Sequence, residues 1–260
     1  MSSFSLYAAR ESGYHHLHPM TKLAISAVAM IAGLLLGGVW PGYTIFALVL
    51  IPLAMWGRVL RSLVGSSSLT VLPFAISLLL IRGFIWPGGT VLLAIGPLVL
   101  KAEGLAFALE ASGRILAMIG SFVLLSLTTR ADALMLALTE RGFPPMIAYI
   151  VVTTIQIVPR FQARASAILD AQRARGLETE GGFLKRAAAL LPLVVPLVLS
   201  SLVDMEERAI ALEGRAFNRP GPRTSLMLLH DTPAQAMIRW LLLALILALF
   251  IGRGLYEFAR

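Results

Sequence analysis

What most constrains this chain is a series of apolar runs, closed in turn by Trp-Pro-Gly turns or by arginine. A membrane-spanning helix needs about 20 mostly apolar residues, and somewhat shorter ones are tolerated. Residues 22–39 form the first run and stop at Trp40-Pro41-Gly42, an interfacial aromatic followed by turn residues. The second covers about 43–56 and is followed by Arg58 and Arg61. The third covers about 69–86, holds Pro73 and closes on a second Trp-Pro-Gly-Gly. Residues 90–100 are apolar but too short to cross, which predicts a re-entrant or interfacial piece. Further spans are expected over 105–128 and 237–252. Charged residues make up only 14% of the chain, against about 25% in soluble domains, so the bilayer is its expected solvent. An all-α polytopic membrane protein with about five transmembrane helices is predicted.

Orientation follows from the arginines. With residues 1–21 cytoplasmic, Arg58, Arg61, Arg130 and the basic residues between 160 and 186 fall inside. Arg82 and Lys101 are the exceptions. The net charge of +8 therefore reports membrane orientation rather than nucleic acid, for which no polar domain exists. The first run is read as a retained span, because no small-residue cleavage site follows it. The last span leaves the C-terminus outside, with Arg253 and Arg260 arguing mildly against that side. With no cysteine, thiol chemistry, disulfides and cysteine-ligated metals are excluded.

Within 105–128, Ala106, Glu110, Gly113, Ala117 and Gly120 recur at spacings of three and four, so small residues share a face along which helices can pack closely in lipid. Glu110 and Arg114 are four apart and can pair. Two readings stand for them, a conduit or gating pair and an ion pair near the outer headgroups; the second is favoured, since charge within the membrane is only a default hint of function. Gly33 and Gly37 form a GxxxG, a weak packing signal.

From Pro144 the character changes. Residues 146–175 read as a helix of about 45 Å, with Pro144-Pro145 as its start and Gly176 as its cap. A second long helix is expected from about 183 to 217, interrupted by Pro192 and Pro196, with Asp204 and Arg208 at i,i+4. Basic residues flank 187–203 at both ends, so a full crossing would strand one cluster outside. Two long antiparallel cytoplasmic helices are predicted instead. The resulting division is a cytoplasmic segment over 1–21, a transmembrane domain over 22–143, a two-helix domain over 144–222, and a linker with a last span over 223–260.

Recognisable catalytic machinery is missing. No G-x-x-x-x-G-K-[ST] occurs, so the chain has no P-loop of its own for ATP, and no HExxH is present. His15, His16 and His18 cluster near the N-terminus with only Glu11 close by, a poor basis for a metal site, and no metal or other cofactor is expected. The serines at 66–68 lack a paired base. What stands out is Arg175 between Ala174 and Gly176, echoed by Arg215 between Gly214 and Ala216. Arginine's planar fork suits carboxylates at a protein interface, and small neighbours let a partner surface approach. Alternatively each arginine only caps a helix C-terminus and anchors at headgroups. Two such motifs at the ends of two long helices favour the first reading.

"LHPMTKL" at 17–23, "LSLTTRADALMLAL" at 125–138, "AQRARG" at 171–176 and "ALEGRAF" at 211–217 together resemble the transmembrane T component of energy-coupling factor ABC transporters, whose relatives include biotin and cobalt transporter subunits. The resemblance covers nearly the whole chain. It implies a non-catalytic importer subunit in the cell membrane, joining two ABC ATPases, which bind the ATP, to a substrate-binding membrane subunit for a vitamin or transition-metal ion. The two long helices become coupling helices. Ala174, Arg175 and Gly176 match the family's first ATPase-docking motif fully; Gly214, Arg215 and Ala216 keep the arginine of the second but exchange its flanks. Rival readings are a conventional ABC permease that contacts substrate itself and a multi-span membrane enzyme.

Overall fold

The computed structural model describes residues 12–85, 90–95, 98–176, 183–217, 219, 221, 225, 227 and 229–258. Pro19, with its φ preset for a first turn, and the His18 ring, whose Nδ1 accepts the Met20 N–H at 3.2 Å, start helix α1 (Pro19–Leu35). Next comes α2 (Trp40–Ile45), a π-helical turn over Phe46–Leu50, and α3 (Ile51–Trp56). Pro52 has no N–H to give to the helix ladder, and the ladder widens just before it, with the Ile51 N–H bonding back to the Phe46 carbonyl.

The long helices α4 (Leu60–Ile85) and α5 (Ala102–Thr128) follow, joined through a short antiparallel hairpin of β1 (Val91–Ile95) and β2 (Leu98–Lys101). Helices α6 (Ala131–Thr139), α7 (Pro145–Ala174), α8 (Phe183–Gly214) and α9 (Pro233–Phe258) complete the described elements. The chain is an all-α membrane protein apart from that hairpin, which occupies the stretch expected to be re-entrant or interfacial. Eleven residues cannot cross as a helix, and pairing β1 with β2 satisfies backbone groups that a single extended strand would leave open.

Among the described residues α4, α5, α7 and α9 are long and apolar enough to cross a membrane, while α1 and the Trp40–Trp56 stretch are shorter. The multi-pass character read from the sequence is therefore present. Helix α7 joins that set on length and composition, although its arginines, Arg160 and Arg164 among them, gather in its second half.

The described chain forms two compact units. One lies within Pro144–Leu228 and holds α7 and α8; the other joins Ser5–Phe143 to Leu229–Arg260. In the second unit α5 is the axis: 44% of its most apolar stretch is buried, against 11% for α4 and none for α9, which leaves those two to face lipid. Ala29, Leu50, Ala54, Val59, Leu63, Leu124 and Leu127 form its core.

Small residues set how closely the helices approach. A Cβ on Gly33 of α1 would lie 2.7 Å from the Ala117 Cβ, and one on Gly42 of α2 would meet the Gly113 backbone at 2.3 Å. Gly113 also receives the Tyr43 ring and Gly120 the Phe46 ring. The predicted stripe on α5 is thus used against two partners, α1 and the Trp40–Trp56 stretch. Two details differ from expectation. Ala106 is exposed, while Gly104 and Ala108 are buried in its place. Gly37 lies beyond the end of α1, so Gly33 and Gly37 do not act as one GxxxG face. The Tyr43 hydroxyl, which donates to the Leu109 carbonyl at 3.1 Å and lies 2.8 Å from the Ser112 hydroxyl, secures the contact.

Candidate functional site

Both arginine motifs end their helices with the same backbone plan. Ala174 is the last residue of α7, Arg175 is the C-cap, and Gly176 turns into the left-handed region at φ +90°. The Gly176 N–H bonds the Arg173 carbonyl at 2.9 Å and the Arg175 N–H bonds Gln172 at 3.1 Å, so carbonyls that would be orphaned are satisfied. At the end of α8, Gly214 is the last helical residue, Arg215 follows, and Ala216 takes the left-handed position at φ +53°. Its N–H bonds the Glu213 carbonyl at 2.9 Å, and the Phe217 N–H closes on Leu212 at 3.0 Å.

Position for position, the second motif therefore superposes on the first with its small residues exchanged. Glycine occupies the helical position, where it adds only disorder to the unfolded chain. Alanine occupies the position that favours glycine, where its Cβ crowds the carbonyl. All six residues are exposed, and a Cβ at Gly176 or Gly214 would meet nothing within 4 Å. Neither Arg175 nor Arg215 has a side-chain partner among the described residues, whereas Arg173 reaches Asp170 at 3.7 Å. The two guanidiniums stand on open, small-residue shoulders with their donors available.

The packing of α7 on α8 sets the distance between them. Tyr149, near the start of α7, meets Phe217 just past α8 in a tilted ring contact, with centroids 5.3 Å apart and the planes at 55°. Farther along, Arg164 donates from Nη1 and Nη2 to the two Asp204 carboxylate oxygens at 2.7 and 3.1 Å. Nη1 also reaches the Ser200 carbonyl at 3.3 Å. Pairing 149 with 217 and 164 with 204 makes the helices antiparallel, as predicted. It also puts Arg215 beside the start of α7 and Arg175 at the far end, about 40 Å away at 1.5 Å per residue.

Asp204 is four residues from Arg208 but is gripped from the facing helix. Arg164 supplies both hydrogen bonds of the planar fork, while Arg208 one turn along adds its charge. Those hydrogen bonds from Arg164 hold the Asp204 carboxyl below the ordinary carboxylate range. Around this pair lies a largely apolar groove of about 420 Å³, lined by Tyr149, Phe161, Met205 and Leu212 among others.

In the other unit, two stretches singled out in the sequence meet. Lys22 donates from Nζ to the His15 carbonyl and to the Thr128 carbonyl, both at 2.9 Å, with the Tyr14 ring 5.8 Å away. A cation at the C-terminus of α5 is favourable against the helix dipole. His18, which caps α1, also gives its backbone N–H to the Gln235 side chain at 2.8 Å. Arg239 bonds Thr21 at 3.1 Å and grips Asp231 through both oxygens at 2.8 and 2.6 Å, with Arg141 at 3.6 Å.

This clasp ties the starts of α1 and α9 to the end of α5, and sequence reading had no means of assembling it. The one hint was Lys22, a cation at the head of an apolar run. Hydrogen bonds from Arg239 hold Asp231 below the usual carboxylate range, and burial lowers the His18 pKa. His15 bonds Ser12 through Nδ1 at 2.7 Å, and His16 is exposed. Glu110 and Arg114 do form their i,i+4 pair on α5.

Residues 10–226 match the family model described as cobalt transport protein, CbiQ. The chain is similar to the energy-coupling factor transporter transmembrane protein EcfT of Thermosediminibacter oceani, with 27% identity over 96% of this chain and 92% of that protein. The protein of the same name from Listeria innocua is 28% identical, over 86% of this chain and 88% of its own length. That from Exiguobacterium sibiricum is 31% identical, over 82% of each.

Proposed function

Since the chain belongs to the cobalt transport protein family, as a transmembrane component of energy-coupling factor transporters, we propose that α7 and α8 carry ATP-driven movement from two cytoplasmic ATPases to a substrate-binding membrane subunit. Arg175 and Arg215 are the hooks. Ala174, Gly176, Gly214 and Ala216 give the clearance that lets an ATPase surface close around each guanidinium. The observation that carries this reading is the pair of exposed, left-handed helix ends on antiparallel helices, with arginines about 40 Å apart. One binding pocket cannot reach both, so two sockets are needed, and two ATPases supply them.

The mechanism is leverage. ATP closes the ATPases, the hooks are drawn with them, and α7 and α8 transmit the displacement, braced against each other by Arg164 and Asp204. Work passes through the helices only if their contacts differ between the two ATPase states. A buried arginine–carboxylate pair in each socket suits this, since truncating one partner of such a pair costs about 2–5 kcal/mol. The cargo belongs to the substrate-binding subunit and is a vitamin or a transition-metal ion. ATP is bound by the ATPases, and this chain needs no cofactor.

Arg175→Glu combined with Arg215→Glu is expected to abolish co-purification of the ATPases while membrane insertion stays normal. Intact co-purification of the double variant would overturn the reading.

A further inference from the structure

After Phe143 the chain leaves the membrane unit for α7, and it returns from α8 at Leu229. A charged residue stands just inside each crossing. Arg141 precedes the first and Asp231 follows the second, and Arg141 Nη2 lies 3.6 Å from Asp231 Oδ2. Both residues belong to the membrane unit, and all of α7 and α8 lies between them in sequence. The point of departure for α7 and the point of return from α8 are therefore tied to each other. Among the described residues the ion pair of Arg141 is with Asp231; Glu140 beside it is exposed.

The two sides of this tie are built differently. Arg141 is set by the end of α6: its N–H bonds the Leu138 carbonyl at 3.0 Å, and the Gly142 N–H bonds Thr139 at 3.1 Å. The Phe143 N–H closes on Leu138 at 3.1 Å. Gly142 holds φ +93°, and Pro144 and Pro145, whose rings preset φ, then open α7. The step from Arg141 into α7 is short and stiff. On the other side α8 stops at Gly214 and α9 begins only at Pro233, with neither helix nor strand among the described residues between. Asp231 closes that long connection. Arg239, buried on α9, grips both its oxygens and bonds Thr21 on α1, while Thr232 caps α9 by accepting the Gln235 N–H at 3.4 Å. Asp231 is thus fixed to the membrane unit by Arg239, and Arg141 links that fixed carboxylate to the stiff joint.

We propose that Arg141 and Asp231 form the root of the lever, positioning residues that hold its short and its long connection at one place, so that α7 and α8 pivot about a single point. This rests on the reading of α7 and α8 as coupling helices. Without the tie only the short joint anchors them; with it, both chain connections share one anchoring point. A half-exposed ion pair suits that task. The Arg141 and Asp231 side chains are 44% and 34% exposed, so the pair adds little to stability. Its loss leaves no buried charge unpaired, because Arg239 still holds Asp231. What the pair contributes is position.

The test uses nitroxide spin labels on the intact chain in lipid nanodiscs, attached before its two ATPases are added. The chain has no cysteine of its own, so introduced ones are labelled alone. Labels at Glu140→Cys and His230→Cys, both exposed and one on each connection, report the root directly. Strong dipolar broadening of the spectrum is expected, unchanged by ATP with vanadate. Arg141→Gln is expected to lose that broadening, and Arg141→Lys, whose ammonium can still pair, to keep it. Labels at Glu140→Cys and Glu206→Cys report movement of α8. Their separation is expected to change on ATP binding when Arg141 is present. In Arg141→Gln that change is expected to be lost while the ATPases still co-purify, since Arg175 and Arg215 are untouched; a purely structural tie would leave the ATP-driven change in place. Undiminished broadening in Arg141→Gln, or ATP-driven movement that survives in it, would overturn the root alone. No ATP-driven movement with Arg141 present would overturn the lever, and the root with it.

Discussion

The exchanged flanks of the second motif allow a quantitative test. Gly214 is helical with nothing within 4 Å of its would-be Cβ, so Gly214→Ala is expected to stabilise the end of α8 by about 0.5–1 kcal/mol. Ala216 holds φ +53°, a conformation that costs an L-residue about 1–2 kcal/mol. Ala216→Gly relieves that crowding and gives back part of the gain, about 0.4–1 kcal/mol, as extra freedom in the unfolded chain. The double swap, which restores Ala-Arg-Gly, should therefore stabilise this helix end by about 1–2 kcal/mol, a factor of about 5–30 in its closing equilibrium. Global melting is the wrong assay, because helix ends open on their own. Amide hydrogen exchange at Ala216 and Phe217 reports the local opening directly, since their N–H groups bond Glu213 and Leu212. Exchange there should slow by about the same factor. Gly176→Ala, at φ +90°, should speed exchange at the end of α7. Unchanged or faster exchange in the double swap would refute the claim that Ala216 is strained. Arg215 is untouched, so ATPase association should persist.

Two further outcomes follow from the membrane unit. Gly42→Ala puts a methyl 2.3 Å from the Gly113 backbone, which no side-chain rotation can relieve, so thermal stability in detergent should fall by about 1–3 kcal/mol or more; an unchanged melting temperature would contradict the close packing of α2 on α5. The pH dependence has a defined sign. Asp231 is held below the ordinary carboxylate range chiefly by Arg239, so its contribution is present above that range and disappears as pH falls through its lowered value. Acid should loosen α9 from α1 below about pH 4, read as faster proteolysis near Asp231, and Asp231→Asn should remove that dependence.

Coupling requires one part of the molecule to move and another to hold. The clasp of Lys22, His18, Gln235, Arg239 and Asp231 binds helices whose ends lie more than 200 residues apart in the chain. Among the described residues the α7–α8 pair is braced by the Arg164–Asp204 ion pair, the Arg164–Ser200 hydrogen bond and the Tyr149–Phe217 ring contact, beside an apolar groove. Such a pair can shift without dismantling a core, which suits a lever more than a scaffold.

Much of this was legible along the chain because it depends on neighbours in sequence. Apolar runs long enough for lipid become helices wherever they stand, and Ala174-Arg175-Gly176 ends a helix because glycine alone takes φ +90° without cost. The i,i+4 pair of Glu110 and Arg114 is likewise local. What depended on which faces meet was not legible. Asp204 has Arg208 one turn away and Arg164 forty residues away, and only the antiparallel packing of α7 on α8 delivers the bidentate partner. Gly37 reads as half of a packing motif until α1 ends at Leu35 and Arg253 arrives from the far end of the chain. The two arginines look like a repeated helix cap until their helices run in opposite directions and stand them about 40 Å apart. Local chemistry follows from bonded neighbours; distance and partnership follow from packing.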